Sequence, residues 1–396
     1  MNRQSLAALR VTLFGDVRAT ITTILVGVPT LAVMFVLLRF VFVRANWGII
    51  TENLRLFYLG TYPSGSEWRV WIPVCLISAA GGLTYGYRGG SLPRLARNLG
   101  IAGALFLVLG LEFVPRWINA LSFGLAPRFG SGWIMTLVTI VVFLSSAALA
   151  RYRLRRLENS RTVAAILVAL WLAPIVVALL LQITISPNQW NGLFLDLMVF
   201  SVGGLLSFPI GVFLALGRNS EIPALRWVTT AYIEVVRAAP LVVWLILSLF
   251  LWEDFFFETN RVHRGMLVFG FFGAAYVSEV IRGGLQSIPR GQYEASRSLG
   301  MSVVTIYGSV ILPQAIRAVI PSLVGRFIAL WKDTSLLLGL SLINTLEVST
   351  AILEGRPSNG QFLLEIYLII AFFYWVVSFS LSRFGAYLEK SFAQAR

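Results

Sequence analysis

Apolar residues run through this chain in blocks of roughly twenty, separated by short polar stretches. Twenty residues is about the length an α-helix needs to cross a bilayer core. The blocks predict spans at roughly 20–42, 70–87, 98–113, 132–150, 162–183, 192–217, 239–252, 265–284, 318–345 and 362–382. The block at 98–113 is short, and a break is expected inside 318–345. A membrane barrel would instead show short alternating segments. The pattern predicts an all-α polytopic membrane protein with an outside loop at 46–67.

Composition sharpens that reading. Of 396 residues, 57% are hydrophobic and 13% charged, whereas a soluble domain carries about a quarter charged. A net charge of +14 invites a nucleic-acid reading, but its placement argues otherwise. With the N-terminus in the cytosol, the inside segments hold Arg3, Arg10, Arg18, the dense run at 151–161, Arg218, Arg226, Arg237, Arg282, Arg290, Arg297, Arg317 and Arg383. Inside segments then carry more than twice the Arg and Lys of outside ones, as orientation by positive charge requires. The charge lies where an anionic leaflet favours it. A lipid membrane is therefore the expected partner, nucleic acid is not, and both termini are expected in the cytosol. The first block is too long for a cleaved signal and is expected to stay as a span. One cysteine, Cys75, and one histidine, His263, supply neither a disulfide framework nor a metal cluster. Asp196 and Glu365, near outer span ends, are expected to be solvated.

One polar, basic stretch lies between two long apolar blocks, at 291–313. Pro289 and Gly291 open a short helix of about two turns carrying Gln292, Tyr293, Glu294, Ala295, Ser296, Arg297 and Leu299. Gly300 stops it, because glycine enters left-handed geometry cheaply. Ser302 then caps a second helix. The pattern Glu294-Ala295-Ser296, three residues, Gly300, nine residues, Val310-Ile311-Leu312-Pro313 resembles the EAA loop of ABC-importer permeases, with Ser and Val as mild departures. Three more stretches are similar to the polar amino-acid branch of that family. They are Glu234-Val-Val-Arg237-Ala-Ala-Pro240-Leu, Ala275-Tyr276-Val-Ser-Glu279-Val-Ile-Arg282-Gly-Gly, and Leu330-Trp-Lys332-Asp333-Thr334-Ser335-Leu. Ala238 replaces the family's glycine, and Trp331 is a local departure.

The resemblance covers about residues 190–390. It implies a type I ABC importer (MetI-like) transmembrane fold of about five core spans in 190–396, preceded by about five extra spans in 1–189. It implies a permease of the bacterial cytoplasmic (inner) membrane for polar or broad-range L-amino acids, in its long form.

Charges inside the blocks are the candidate site residues, since a charge in a span is either paired or functional. Glu279 with Arg282 in a block, and Glu234 with Arg237 at the end of the connector before one, are spaced i, i+3 and can pair on a helix. Lys332 and Asp333 fall about a dozen residues beyond Pro321, near the membrane midplane at about 1.5 Å per residue. They offer complementary charges to an amino acid, with Thr334 and Ser335 adding hydrogen bonds; they equally suit an inter-helix ion pair that fixes or gates the fold. Glu279 and Arg282 carry the same two readings, and Tyr276 either lines a cavity or packs. The small residues Ser201, Gly203, Gly204, Ser207 and Gly211 point to close helix packing.

No Gly-x-x-x-x-Gly-Lys-Ser/Thr loop occurs, so the chain lacks that means of holding ATP. The resemblance implies that ATP and Mg bind a separate dimeric ABC ATPase subunit, contacted through 291–300, with Tyr293 and Leu299 entering an apolar groove and Glu294 and Arg297 making polar contacts. No cofactor is expected on this chain, and it is not expected to be an enzyme. A second permease subunit, identical or homologous, and an external solute-binding protein are implied too. The alternative from another class is an ion-coupled secondary amino-acid transporter, with sites between inverted repeats.

Overall fold

The computed structural model describes residues 13–87, 141–151, 160–256, 258–355 and 357–393. The expected span at 98–113, residues 132–140 of that at 132–150 and the interior of the basic run at 151–161 lie outside the described residues. What is described is helical, in this order: α1 (Val17–Arg39), α2 (Gly48–Leu59), α3 (Trp68–Tyr87), α4 (Val141–Arg151), α5 (Ser160–Leu181), α6 (Gly192–Arg218), α7 (Pro223–Ala238), α8 (Leu241–Phe255), α9 (Arg261–Gln286), α10 (Arg290–Ser298), α11 (Leu312–Ala318), α12 (Ile320–Asp333), α13 (Thr345–Glu354) and α14 (Leu363–Ala393). Among the described residues five helices are long and apolar enough to cross a membrane, or up to seven if each bent pair counts as one span.

The centre is the pairing of α6 with α9. It works because both helices present small residues at helical spacing. A Cβ on Gly203 would lie 2.7 Å from the Cβ of Phe269, and one on Gly211 would lie 2.7 Å from Val277 Cγ1. From the other side, Gly270 and Gly273 abut Leu206 and Ser207 as closely. Backbones thus approach where side chains would hold them apart. Gly211→Leu is expected to destabilise this pair by about 1–3 kcal/mol through overpacking, read as a lower unfolding temperature of the protein in detergent.

Two spans are bent. α7 and α8 meet at 103°. Pro240, which has no N–H to continue a ladder, stands just before α8, and Ala239 before it is extended. Ala238, at the family's glycine position, is the last residue of α7 and keeps helical geometry. The expected break in 318–345 falls at Val319, where the helical stretch Val303–Ala318 turns 66° into Ile320–Leu340. A second change follows, from α12 to a 3₁₀ turn at Thr334–Leu340.

Two expectations are corrected. The segment 46–67 is not all loop: its larger part, α2, is a helix that packs on α6, α13 and α14. Phe57 is fully buried with its ring 6.2 Å from that of Phe373, and the Tyr62 hydroxyl donates to Gln182 Oε1 at 2.5 Å. Gly192 fits beneath it at φ +61, where a Cβ would lie 2.6 Å from the Phe57 carbonyl oxygen. Nor are Asp196 and Glu365 solvated. Asp196 is fully buried and accepts from Thr345 N at 3.1 Å and from the Tyr374 hydroxyl at 3.4 Å. Glu365 is buried and accepts from Asn46 N at 3.1 Å. Both carboxylates tie chain segments together at one end of the helical core.

Candidate functional site

The stretch after α9 builds a short projecting helix. α10 starts after Pro289 and ends at Ser298, with Leu299 as its cap. Gly300 follows at φ +70, a geometry that favours glycine. Ser302 then accepts from Thr305 N at 3.3 Å and starts the next turn. Pro313 has no N–H to donate back up that helix, and the ladder before it widens into a π-turn over Ile306–Ile311.

α10 has an inner and an outer face. Ser296 is buried, and its hydroxyl donates to the Gln292 carbonyl at 2.7 Å. Tyr293 also points inward: its ring meets Tyr307 edge-on at 6.0 Å, and its hydroxyl donates to the Leu285 carbonyl at 3.5 Å. Burial raises the Tyr293 phenol above its usual range. Tyr293, half-buried, therefore helps to anchor the helix. Gly291, Gln292, Glu294, Ala295, Arg297 and Leu299 are exposed. Leu299 is 79% exposed, Val303 65% and Val304 82%, an apolar edge beside the polar one. Val303 and Val304 fall in the motif's nine-residue spacer, whose residue types it does not specify, so sequence reasoning passed over them.

The charged motif residues meet inside the helix bundle. Glu279 on α9 pairs with Arg218 on α6 at 2.5 Å, with Arg282 one turn on at 2.8 Å, and with Arg237 on α7 at 3.7 Å. Arg218 also reaches Glu234 at 2.8 Å. The expected i, i+3 pair of Glu279 and Arg282 forms. The one expected between Glu234 and Arg237 does not, because each has a better placed partner on another helix. Arg218, which joins both carboxylates, belongs to none of the motifs.

Further along α9, Phe272, Tyr276 and Glu279 lie on one stripe. Arg237 stands over the Tyr276 ring at 5.4 Å and Arg326, from α12, at 3.9 Å. Asp333 Oδ2 lies 3.9 Å from Arg326 Nη2. Lys332 is exposed while Asp333 is half-buried, as neighbours on a helix should be. Thr334 and Ser335 spend their hydroxyls on the Trp331 and Lys332 carbonyls at 2.8 and 2.9 Å. Asn344 holds the Thr334 carbonyl at 2.9 Å. The structure brings Tyr276, Asp333 and Arg326 together, leaves Lys332 on another face, and makes Thr334 and Ser335 part of the turn. Arg326 was missed because it sits in a span outside every motif.

This arrangement can be set beside known proteins. A family model described as "Binding-protein-dependent transport system inner membrane component" matches residues 207–394. The chain is 40% identical over 216 residues to the inner membrane amino-acid ABC transporter permease protein YhdY of Escherichia coli, covering 54% of this chain and 58% of that relative's length. It is 30% identical over 356 residues to the glutamate/glutamine/aspartate/asparagine transport system permease protein BztC of Rhodobacter capsulatus, covering 87% of this chain and 78% of that relative. A crystal structure of an amino acid ABC transporter with histidines shares 30% identity at a TM-score of 0.44, over 50% of this chain and 90% of that one.

Proposed function

This chain belongs to the binding-protein-dependent transport system inner membrane components, and from that premise we propose that it is the permease subunit of an ATP-driven importer of amino acids. It is a multi-pass membrane protein whose relatives are permease subunits of amino-acid transport systems. In our reading residues 190–396 form the permease core and 1–189 supply additional spans. The distribution of arginine supports placing both termini and α10 in the cytosol.

The observation that carries the reading is α10: a short helix between two spans, anchored inward by Tyr293 and turning Glu294, Arg297 and Leu299 outward. A separate ATPase, holding ATP and Mg, docks there. Its movement is passed to α9 on one side and to α11 and α12 on the other, rocking the bundle between two arrangements. The packing of α11 against α9, so close that a Cβ on Gly284 would lie 2.6 Å from the Ala315 carbonyl oxygen, makes those elements move together. A second permease subunit completes the pathway, and an external binding protein delivers the amino acid.

Uptake into vesicles containing the assembled complex tests this directly. With ion gradients collapsed and ATP retained inside, accumulation of labelled amino acid is expected to continue. Uptake that stops with the gradients and ignores ATP would replace the importer by an ion-coupled carrier.

A further inference from the structure

Beside α8 runs an apolar groove of about 660 Å³, walled by Val236 from α7, Leu247 and Leu251 from α8, and Leu267, Val268 and Phe271 from α9. Three polar side chains in its lining are spent within the chain. The Tyr232 hydroxyl donates to the Phe271 carbonyl at 2.8 Å, the Trp244 indole N–H to the Val236 carbonyl at 3.0 Å, and the Ser248 hydroxyl to the Leu245 carbonyl at 2.7 Å. The groove thus offers an occupant hydrocarbon and little else. An amino-acid zwitterion would lose its water there without compensation, whereas an alkyl chain gains contact along its length.

The length of the groove matches one lipid chain. Phe271 lies ten residues along α9 from Arg261, which is about 15 Å at about 1.5 Å per residue. That is half of a hydrocarbon core about 30 Å thick. With the orientation argued from the arginines, the groove reaches from the outer end of α8 to mid-bilayer. At that outer end the rings of Trp252 and Phe256 lie 4.7 Å apart, and Phe255 and Phe256 are exposed. Aromatic residues of this kind gather at headgroup level. Just beyond them the chain carries Glu253, Asp254 and Glu258. Arg264 pairs with Glu253 and Arg261 offsets one more, so three carboxylates against two guanidiniums leave the rim negative. Such a rim repels an anionic headgroup and attracts an ammonium, which Asp254 can meet with a charge-assisted hydrogen bond. We propose that the groove binds one acyl chain of an outer-leaflet phospholipid with an ammonium headgroup, of the phosphatidylethanolamine class. The chain lies wedged beside the bend between α7 and α8. This goes beyond the importer reading and needs only the orientation of the spans.

The test places the full chain in nanodiscs of phosphatidylethanolamine and phosphatidylglycerol in equal amounts, with a photoreactive group midway along one acyl chain of either lipid. Peptides of α8 and α9 are expected to take label from phosphatidylethanolamine at least tenfold over phosphatidylglycerol. Peptides of α1, which buries none of its residues, report the bulk lipid and are expected to show no preference. Leu251 is exposed on the groove wall, so L251W fills the space and is expected to remove the label from α8 and α9 while α1 keeps it. Asp254→Lys with Glu258→Lys is expected to bring the ratio on α8 and α9 to within twofold of that on α1. Should L251W not give monodisperse protein, the ratios on the unaltered chain and the charge variant decide. A ratio on α8 and α9 equal to that on α1 overturns the site. So does cross-linking of α8 to a second copy of the chain in place of lipid, which makes the groove a subunit interface. Neither result bears on ATP-driven uptake, which tests the importer by itself.

Discussion

Glu279→Ala is expected to abolish the stable folded protein, seen as loss of the monodisperse peak and of a cooperative melt in detergent. The carboxylate is shared by Arg218, Arg237 and Arg282, and its side chain is 19% exposed. These arginines come from α6, α7 and α9, so one side chain holds three helices. Removing it leaves their cations facing one another with only Glu234 nearby. Breaking a largely buried pair from one side costs about 3–5 kcal/mol, because the remaining charge loses its compensation, whereas replacing both partners by apolar groups can be close to neutral. Glu279→Met with Arg218→Met is therefore expected to recover part of what Glu279→Met loses alone. If the double variant is worse than either single one, shape and not charge holds the junction. A gate that opens by parting α7 from α9 would have to break this same cluster.

The residues that were legible in the sequence are those whose determinants are local. Pro289 and Gly300 fix the bounds of α10 through φ and a left-handed turn, Ser302 caps the turn that follows, and all three act as expected. Long apolar blocks located most described spans for a similar reason: one helix satisfies its own backbone. What stayed hidden depends on distant partners. Asp196 is buried because Thr345 and Tyr374, more than a hundred residues on, supply its donors. Arg237 could be seen beside Glu234 on one helix, but not beside Glu279 on another. In α2 the spacing of Ile50, Leu54 and Phe57 is helical, yet Glu52, Asn53 and Arg55 between them made the stretch read as a loop. For the candidate site, the motifs found Tyr276 and Asp333. They did not find Arg326, whose place over the Tyr276 ring and beside Asp333 only coordinates reveal.

Leu299→Asp combined with Val304→Asp is expected to weaken binding of the ATPase more than a hundredfold, measured as its affinity for the purified permease. Both side chains are almost fully open to their surroundings, at 79% and 82%, so neither contributes to the fold of the chain. Burying a side chain of this size in a partner's groove gives about 1.5–3 kcal/mol, and two lost together exceed the roughly 2.7 kcal/mol that corresponds to a hundredfold. The contrast with Tyr293→Ala separates docking from support. Tyr293 packs against Tyr307 within the chain, so its removal is expected to lower the melting temperature of the isolated permease, while the Leu299 and Val304 pair leaves it unchanged. If the paired aspartates bind the ATPase within threefold of the parent, α10 does not contact the ATPase through this edge. Glu294 and Arg297, exposed on the same short helix, would then have to carry the contact by charge alone, and raising the salt concentration would dissolve the complex.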